Sequence, residues 1–128
     1  MGMPPLGDQE LELLQFITEH SPLTVREAYE DYGKARGLAR TTILTMMERL
    51  RTKGYLTRSK GKGANEYSAR LTRSALMRGV VHGFVEKTLG GTLSPFMAYI
   101  VEDANVSPQE LEELKRLVEE LESREEKK

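Results

Sequence analysis

The sequence predicts a mainly α-helical fold that carries one small β-hairpin, and three observations predict it. Apolar residues recur at helical spacing over most of the chain. The period shortens only between Tyr55 and Ala69, and a Gly- and Lys-rich stretch interrupts that short region. Hydrophobic residues make up 38% of the 128 positions and charged residues 30%, a thin core near the size where self-association helps stability. No apolar run approaches the ~18 residues of a membrane span, and no charged-then-apolar leader is visible. Leu6 stands where a myristoylation site needs Ser or Thr. A cytoplasmic chain without a membrane partner is expected. With no cysteine, disulfides, thiolate zinc sites, iron–sulfur clusters and cysteine nucleophiles are excluded, so no metal and no cofactor are expected.

The first helix is predicted behind Asp8, with Leu11, Leu14 and Ile17 on one stripe and Leu13 and Phe16 beside them. It should reach Glu19 or His20 and stop before Pro22. Thr24-Val25-Arg26-Glu27 is a capping box, in which the Thr hydroxyl and the Glu carboxylate each satisfy an orphan backbone donor. A second helix should start at Val25, bury Val25, Ala28 and Tyr29 or Tyr32, and end at Gly33. Gly33 and Gly37 then bracket a loop.

A third helix is predicted from Arg40 to Lys53, stopped by Gly54. Ile43, Met46, Met47 and Leu50 share one face. Thr41, Thr45, Glu48 and Thr52 lie opposite, flanked by Thr42 and Arg49. Threonine is a mediocre helix former, and a purely structural surface would favour Glu, Lys, Gln or Ala. Short hydroxyls and methyls flanked by arginines suit the floor of a DNA major groove. Tyr55–Ser59 and Glu66–Ala69 then read as strands, joined by the Lys60 to Asn65 connection, whose glycines and lysines suit a phosphate backbone.

Charge follows the same plan. Residues 1–33 carry one base against seven acids, residues 34–78 twelve bases against two acids, and residues 79–128 six bases against eleven acids. A net charge of −1 would discourage nucleic-acid binding if read alone, but phosphate responds to local field. Basic runs are often only solvated surface; a bias this steep argues for phosphate. Three helices followed by a basic hairpin is the layout of a winged helix-turn-helix, assigned to residues 1–70.

Residues 71–128 are predicted to be helical. Thr72 caps a helix with Leu76, Val80 and Phe84 in a stripe, ending at Gly90-Gly91. Ser94-Pro95 opens another with Phe96, Met97, Ile100 and Val101. Ser107-Pro108-Gln109-Glu110 is a second capping box, followed by Leu111, Leu114, Leu117, Val118 and Leu121 on one face. Short helices need packing to persist in water. The economical solution buries Leu76, Val80, Phe84, Phe96, Ile100, Leu111, Leu114, Leu117 and Leu121 against a second copy; the alternative lays these helices over the first domain. A two-fold dimer would place two recognition helices about 34–36 Å apart, or a multiple of it, along the duplex.

The arrangement resembles the penicillinase repressor family, the bacterial winged-helix repressors typified by BlaI, MecI and CopY. The resemblance runs from Leu6 to about Leu121. Its most specific stretch is Leu38 to Leu56, where paired threonines (Thr41, Thr42) are followed by Thr45, then Arg49-Leu50 and Lys53-Gly54. Leu23 to Glu27, Gly61 to Tyr67, Phe84 to Gly91 and Ser107 to Leu114 are similar to other family segments. The resemblance implies a homodimeric repressor on a palindromic operator in double-stranded DNA. It places Thr41, Thr42 and Thr45 in the major groove, makes Arg40, Arg49 and Arg51 base or phosphate contacts, and sets Lys60 and Lys62 on phosphate beside the wing. Copper-responsive members carry cysteine pairs that this chain lacks. β-Lactam-responsive members are cut by a sensor protease at an Asn-Phe bond, where Tyr99-Ile100 stands here. The inducer or sensor protease is left open.

An enzyme is not expected: neither His20 nor His82 has metal-ligand spacing, a nucleophile elbow or a phosphate loop around it. Two other readings fit the residues: a winged-helix protein-interaction module whose basic face docks an acidic partner, and a sequence-indifferent DNA-binding protein.

Overall fold

The structure, a computed structural model, describes residues 4–126. Helices α1 (Asp8–His20), α2 (Val25–Ala28) and α3 (Arg40–Thr52) precede strands β1 (Leu56–Lys60) and β2 (Asn65–Ala69). Helices α4 (Arg73–Gly83), α5 (Ser94–Glu102) and α6 (Pro108–Glu126) follow. The predicted mixture of helices with one hairpin is what forms.

Local boundaries differ where backbone chemistry was misread. The N-cap of α1 is Gly7, whose N–H donates to Glu10 Oε1 at 3.0 Å, and Asp8 occupies the first turn. The capping box of Thr24 and Glu27 forms as predicted, with the Thr hydroxyl accepting from Glu27 N–H and the carboxylate accepting from Thr24 N–H. Gly33 does not end the second helix. The chain continues through a π-helical turn, Tyr29–Gly33, and a 3-10 turn, Lys34–Arg36. Gly33 is buried, and a Cβ there would stand 2.8 Å from Ile43 Cγ1, so it is glycine for close approach to α3. The stop is Gly37, at φ 71° in the left-handed region that glycine tolerates.

The hairpin is antiparallel, with Leu56 opposite Ala69 and Lys60 opposite Asn65. Leu23, in the linker after α1, adds a two-hydrogen-bond bridge to Tyr67, at 3.0 and 2.8 Å. This ties the wing to the helical core and had no signature in the sequence.

One core serves the helices and the hairpin. Leu13, Leu14 and Ile17 of α1 meet Ile43, Met46, Met47 and Leu50 of α3, and Ala28 and Tyr32 close one side. Leu56 and Tyr67 close the other from the strands. Each such fully buried aliphatic contributes about 1.5–3 kcal/mol of transfer free energy. The Tyr32 hydroxyl donates to Glu12 at 3.0 Å, and the Arg36 guanidinium lies 3.8 Å from the Tyr32 ring centroid. Burial and the neighbouring Glu12 push the Tyr32 phenol up to about 12.

Leu76 belongs to this core at 4% exposure, which corrects its assignment to a subunit seam. Its neighbour Met77 packs on the same cluster and receives a Gln15 amide contact. The first compact unit therefore extends to Val81 and the second starts at His82, where a division at 70/71 was expected. The first turns of α4 are apolar toward α1, so they complete the winged-helix core.

The second unit looks different. Among the described residues from His82 to Glu126, none is buried. Phe84, Phe96, Leu111, Leu117 and Leu121 are about half exposed, while Ile100 and Leu114 are partly covered. Helices α5 and α6 flank an apolar groove of about 380 Å³ lined by Phe96, Tyr99, Ile100, Leu114 and Leu117. Among the described residues, no helix is long and apolar enough to cross a membrane.

Candidate nucleic-acid interface

The apolar face of α3 fixes what its other face presents. Because Ile43, Met46, Met47 and Leu50 are buried, Thr41, Thr42, Thr45, Arg49 and Thr52 are exposed. Leu44, which the sequence reading left without a role, is also exposed, at 44%. Arg40, at the first position of the helix, is exposed and lines a groove of about 640 Å³ with Glu27, Glu30 and Asp31 of the second helical segment and Gly63 of the hairpin tip.

Half of the bases in the middle segment form ion pairs within the chain. Lys34 pairs with Glu30, Arg36 with Glu12, Arg51 and Arg58 with Glu48, Lys53 with Glu10, and Arg73 with Glu19. Arg40, Arg49, Lys60 and Lys62 are exposed and make no ion pair among the described residues. They flank the threonines on α3 and stand on the hairpin. Of the eight residues singled out for DNA contact, seven are thus presented to solvent. Arg51 is the exception in kind: half-buried, it donates from Nε and Nη2 to Glu48 Oε1, at 3.1 and 2.8 Å.

Glu48 lies on the threonine side of α3, as its spacing predicts, but spacing alone did not give its partners. Its Oε2 accepts from Arg58 Nη1 at 2.8 Å and from the hydroxyl of Tyr67, whose ring is buried. The carboxylate therefore joins α3, β1 and β2. Hydrogen bonds from Arg51 first and Tyr67 next hold its carboxyl down to about 2. Burial, with the adjacent Glu48, pushes the Tyr67 phenol up. Glu10 is a second tie: its Oε1 accepts from Lys53 Nζ at 2.8 Å, and that hydrogen bond outweighs burial to lower its carboxyl. Lys53 also donates to Pro5 O, so the segment before α1 is pinned to the end of α3.

A folded carboxyl held below its ordinary value stabilises the fold above the unfolded value, and that stabilisation is lost as pH falls through the folded one. For Glu48 the window lies between the ordinary 4.5 and about 2. Chemical unfolding followed across that range should show Glu48→Gln losing less stability with acid than the parent chain. Parallel curves would mean that the carboxylate's ion pairs contribute nothing to folding.

The hairpin turn is closed by Gly61 N–H donating to Ala64 O at 2.9 Å, which presents Lys60 and Lys62 at its tip. Among the described residues, no cluster of three or more His, Asp or Glu side chains could hold a metal ion. What remains is an exposed polar helix face beside a cationic hairpin, a surface shaped for an anionic groove.

The chain is similar to several known proteins. The chain is 29% identical over 122 residues to the "Penicillinase repressor" of Bacillus licheniformis, covering 95% of each chain. It is 28% identical over 120 residues to "Transcriptional regulator BlaI" of Mycobacterium tuberculosis, covering 92% of this chain and 86% of that one. A solution structure of the DNA-binding domain of the repressor BlaI matches at 30% identity and a TM-score of 0.51, over 57% of this chain and 89% of that one. A MarR family protein from Bacillus stearothermophilus shares the fold at 17% identity and a TM-score of 0.52, over 94% of this chain and 76% of that one. A profile of the penicillinase repressor matches residues 6–120, and on that match the chain belongs to the penicillinase repressor family.

Proposed function

We propose that this chain is a homodimeric, sequence-specific transcriptional repressor that occupies a palindromic operator through α3 and the basic hairpin. One observation carries the reading: the exposed side of α3 holds Thr41, Thr42 and Thr45 beside the unpaired Arg40 and Arg49, next to a hairpin bearing Lys60 and Lys62. Threonine hydroxyls can reach base edges or phosphates, their methyls can meet thymine, and arginine can read guanine bidentately. The lysines supply sequence-independent attraction to phosphate. Dimerisation is supported by the second unit, whose half-exposed apolar helices have no core of their own. Leu117 and Leu121 of α6, with Phe84 and Phe96, would be covered by the second copy.

Selection of bound fragments from random DNA by the purified protein tests the reading directly. An inverted repeat with half-sites a whole number of helical turns apart supports it. Recovery of unrelated fragments would favour a sequence-indifferent binder, and no recovery would favour a protein-interaction module.

Two substitutions sort the contacts. Thr45→Ala and Arg49→Ala should each cost about 1–3 kcal/mol of operator binding and relax preference at one base position. Equal losses on scrambled DNA would reassign that side chain to phosphate. Lys62→Ala should weaken binding to every duplex alike and shrink the slope of log affinity against log salt by about 0.9. An unaltered slope would remove Lys62 from the interface.

A further inference from the structure

We propose that Glu48 is a specificity-determining positioning residue, which holds Arg51 and Arg58 in a fixed cluster with Tyr67 and so withholds two guanidiniums from indiscriminate contact with phosphate. The proposal rests on the DNA-binding reading above and adds a role that the α3 spacing did not reveal.

An acid on this face is electrostatically out of place. A carboxylate beside Thr45 and Thr52 repels phosphate, and the core does not require it, because its side chain is 30% exposed. Its contacts account for it. Oε1 takes two hydrogen bonds from Arg51 on the same helix, and Oε2 takes one from Arg58 on β1 and one from Tyr67 on β2. Tyr67 is itself anchored, with 1% exposure and a backbone bridge to Leu23. The cluster is thus pinned at one end by a buried ring and at the other by two arginines that would otherwise swing freely. The carboxyl's low value keeps it charged at any pH used for binding.

Sequence-independent affinity grows with the number of phosphates that mobile cations can neutralise. Specificity is a difference of affinities, so suppressing the indiscriminate complex raises it. Arg49 and the threonines lie outside the cluster and stay available to base edges. The tie also fixes the angle of the hairpin to α3, since one carboxylate bonds all three elements.

The test measures affinities of the full-length chain for the selected operator and for a scrambled duplex of equal length, over about 50–300 mM salt. Glu48→Gln should bind the scrambled duplex roughly 5- to 30-fold more tightly near 0.15 M salt, with a slope steeper by about 1–2, for one or two released cations. Its ratio of operator to scrambled affinity should fall. Arg58→Gln alone should leave the slope unchanged, and added to Glu48→Gln it should remove part of the gain. Loss of folded protein lowers all apparent affinities together and leaves the slope alone, so the slope separates this role from a merely structural one. An unchanged slope and ratio in Glu48→Gln would overturn the proposal. So would weaker operator binding with scrambled binding unaltered, which would make Glu48 a direct acceptor for a cytosine amine. If the parent chain shows no sequence preference, the repressor reading fails, while slopes on any duplex still decide what Glu48 does.

Discussion

Leu117→Asp, and separately Leu114→Asp, should leave the chain monomeric in sedimentation and weaken operator binding by about 10²–10⁴-fold, the avidity that linking two modest half-site interactions supplies. Both residues stand on the apolar side of α6, Leu117 about half exposed and Leu114 partly covered beside Phe96 and Ile100. An aspartate there would have to be desolvated, without a partner, for the proposed seam to close. The winged helix does not include α6, so its own unfolding transition should be retained. That retention is the control: binding to a single half-site should persist at its modest affinity. A dimer that survives both substitutions would move the interface off α6.

Ile43→Ala should destabilise the first unit by about 2–5 kcal/mol in chemical unfolding, the range for truncating a buried Leu, Ile or Met. Ile43 is fully buried and lies against Gly33, where the second helical segment passes close to α3. Truncation leaves a cavity at the contact that sets which way α3 faces. A domain of this size has about 5–15 kcal/mol in total, so the loss removes a large share of its stability and should lower its thermal midpoint. Ile43→Leu keeps the volume and should cost less than about 1.5 kcal/mol. A cost below 1 kcal/mol for Ile43→Ala would mean that this face of α3 is not packed as described.

Much of the DNA-binding half was readable residue by residue. The Ile43, Met46, Met47 and Leu50 spacing determined which side of α3 is buried, and hence that Thr41, Thr42 and Thr45 are exposed. The Thr24 and Glu27 pair marked a helix start, because a capping box is closed within four residues. The errors came where a residue's role depends on a distant one. Gly33 reads as a helix stop in isolation, but its missing side chain makes room for Ile43. Leu76 fits an amphipathic stripe equally well whether it meets a second copy or its own core, since periodicity gives a face and not a partner.

The amino-acid order by itself determined the helices, the hairpin, the basic middle and the threonine-lined face, because each follows from spacing along a few turns. Tertiary structure alone decided which charges are spent at home. Arg58 ends on Glu48 and Lys53 on Glu10, while Arg40, Arg49, Lys60 and Lys62 keep their charge outward. An ion pair forms across a few ångströms of space between residues up to tens of positions apart, a distance that no local pattern encodes.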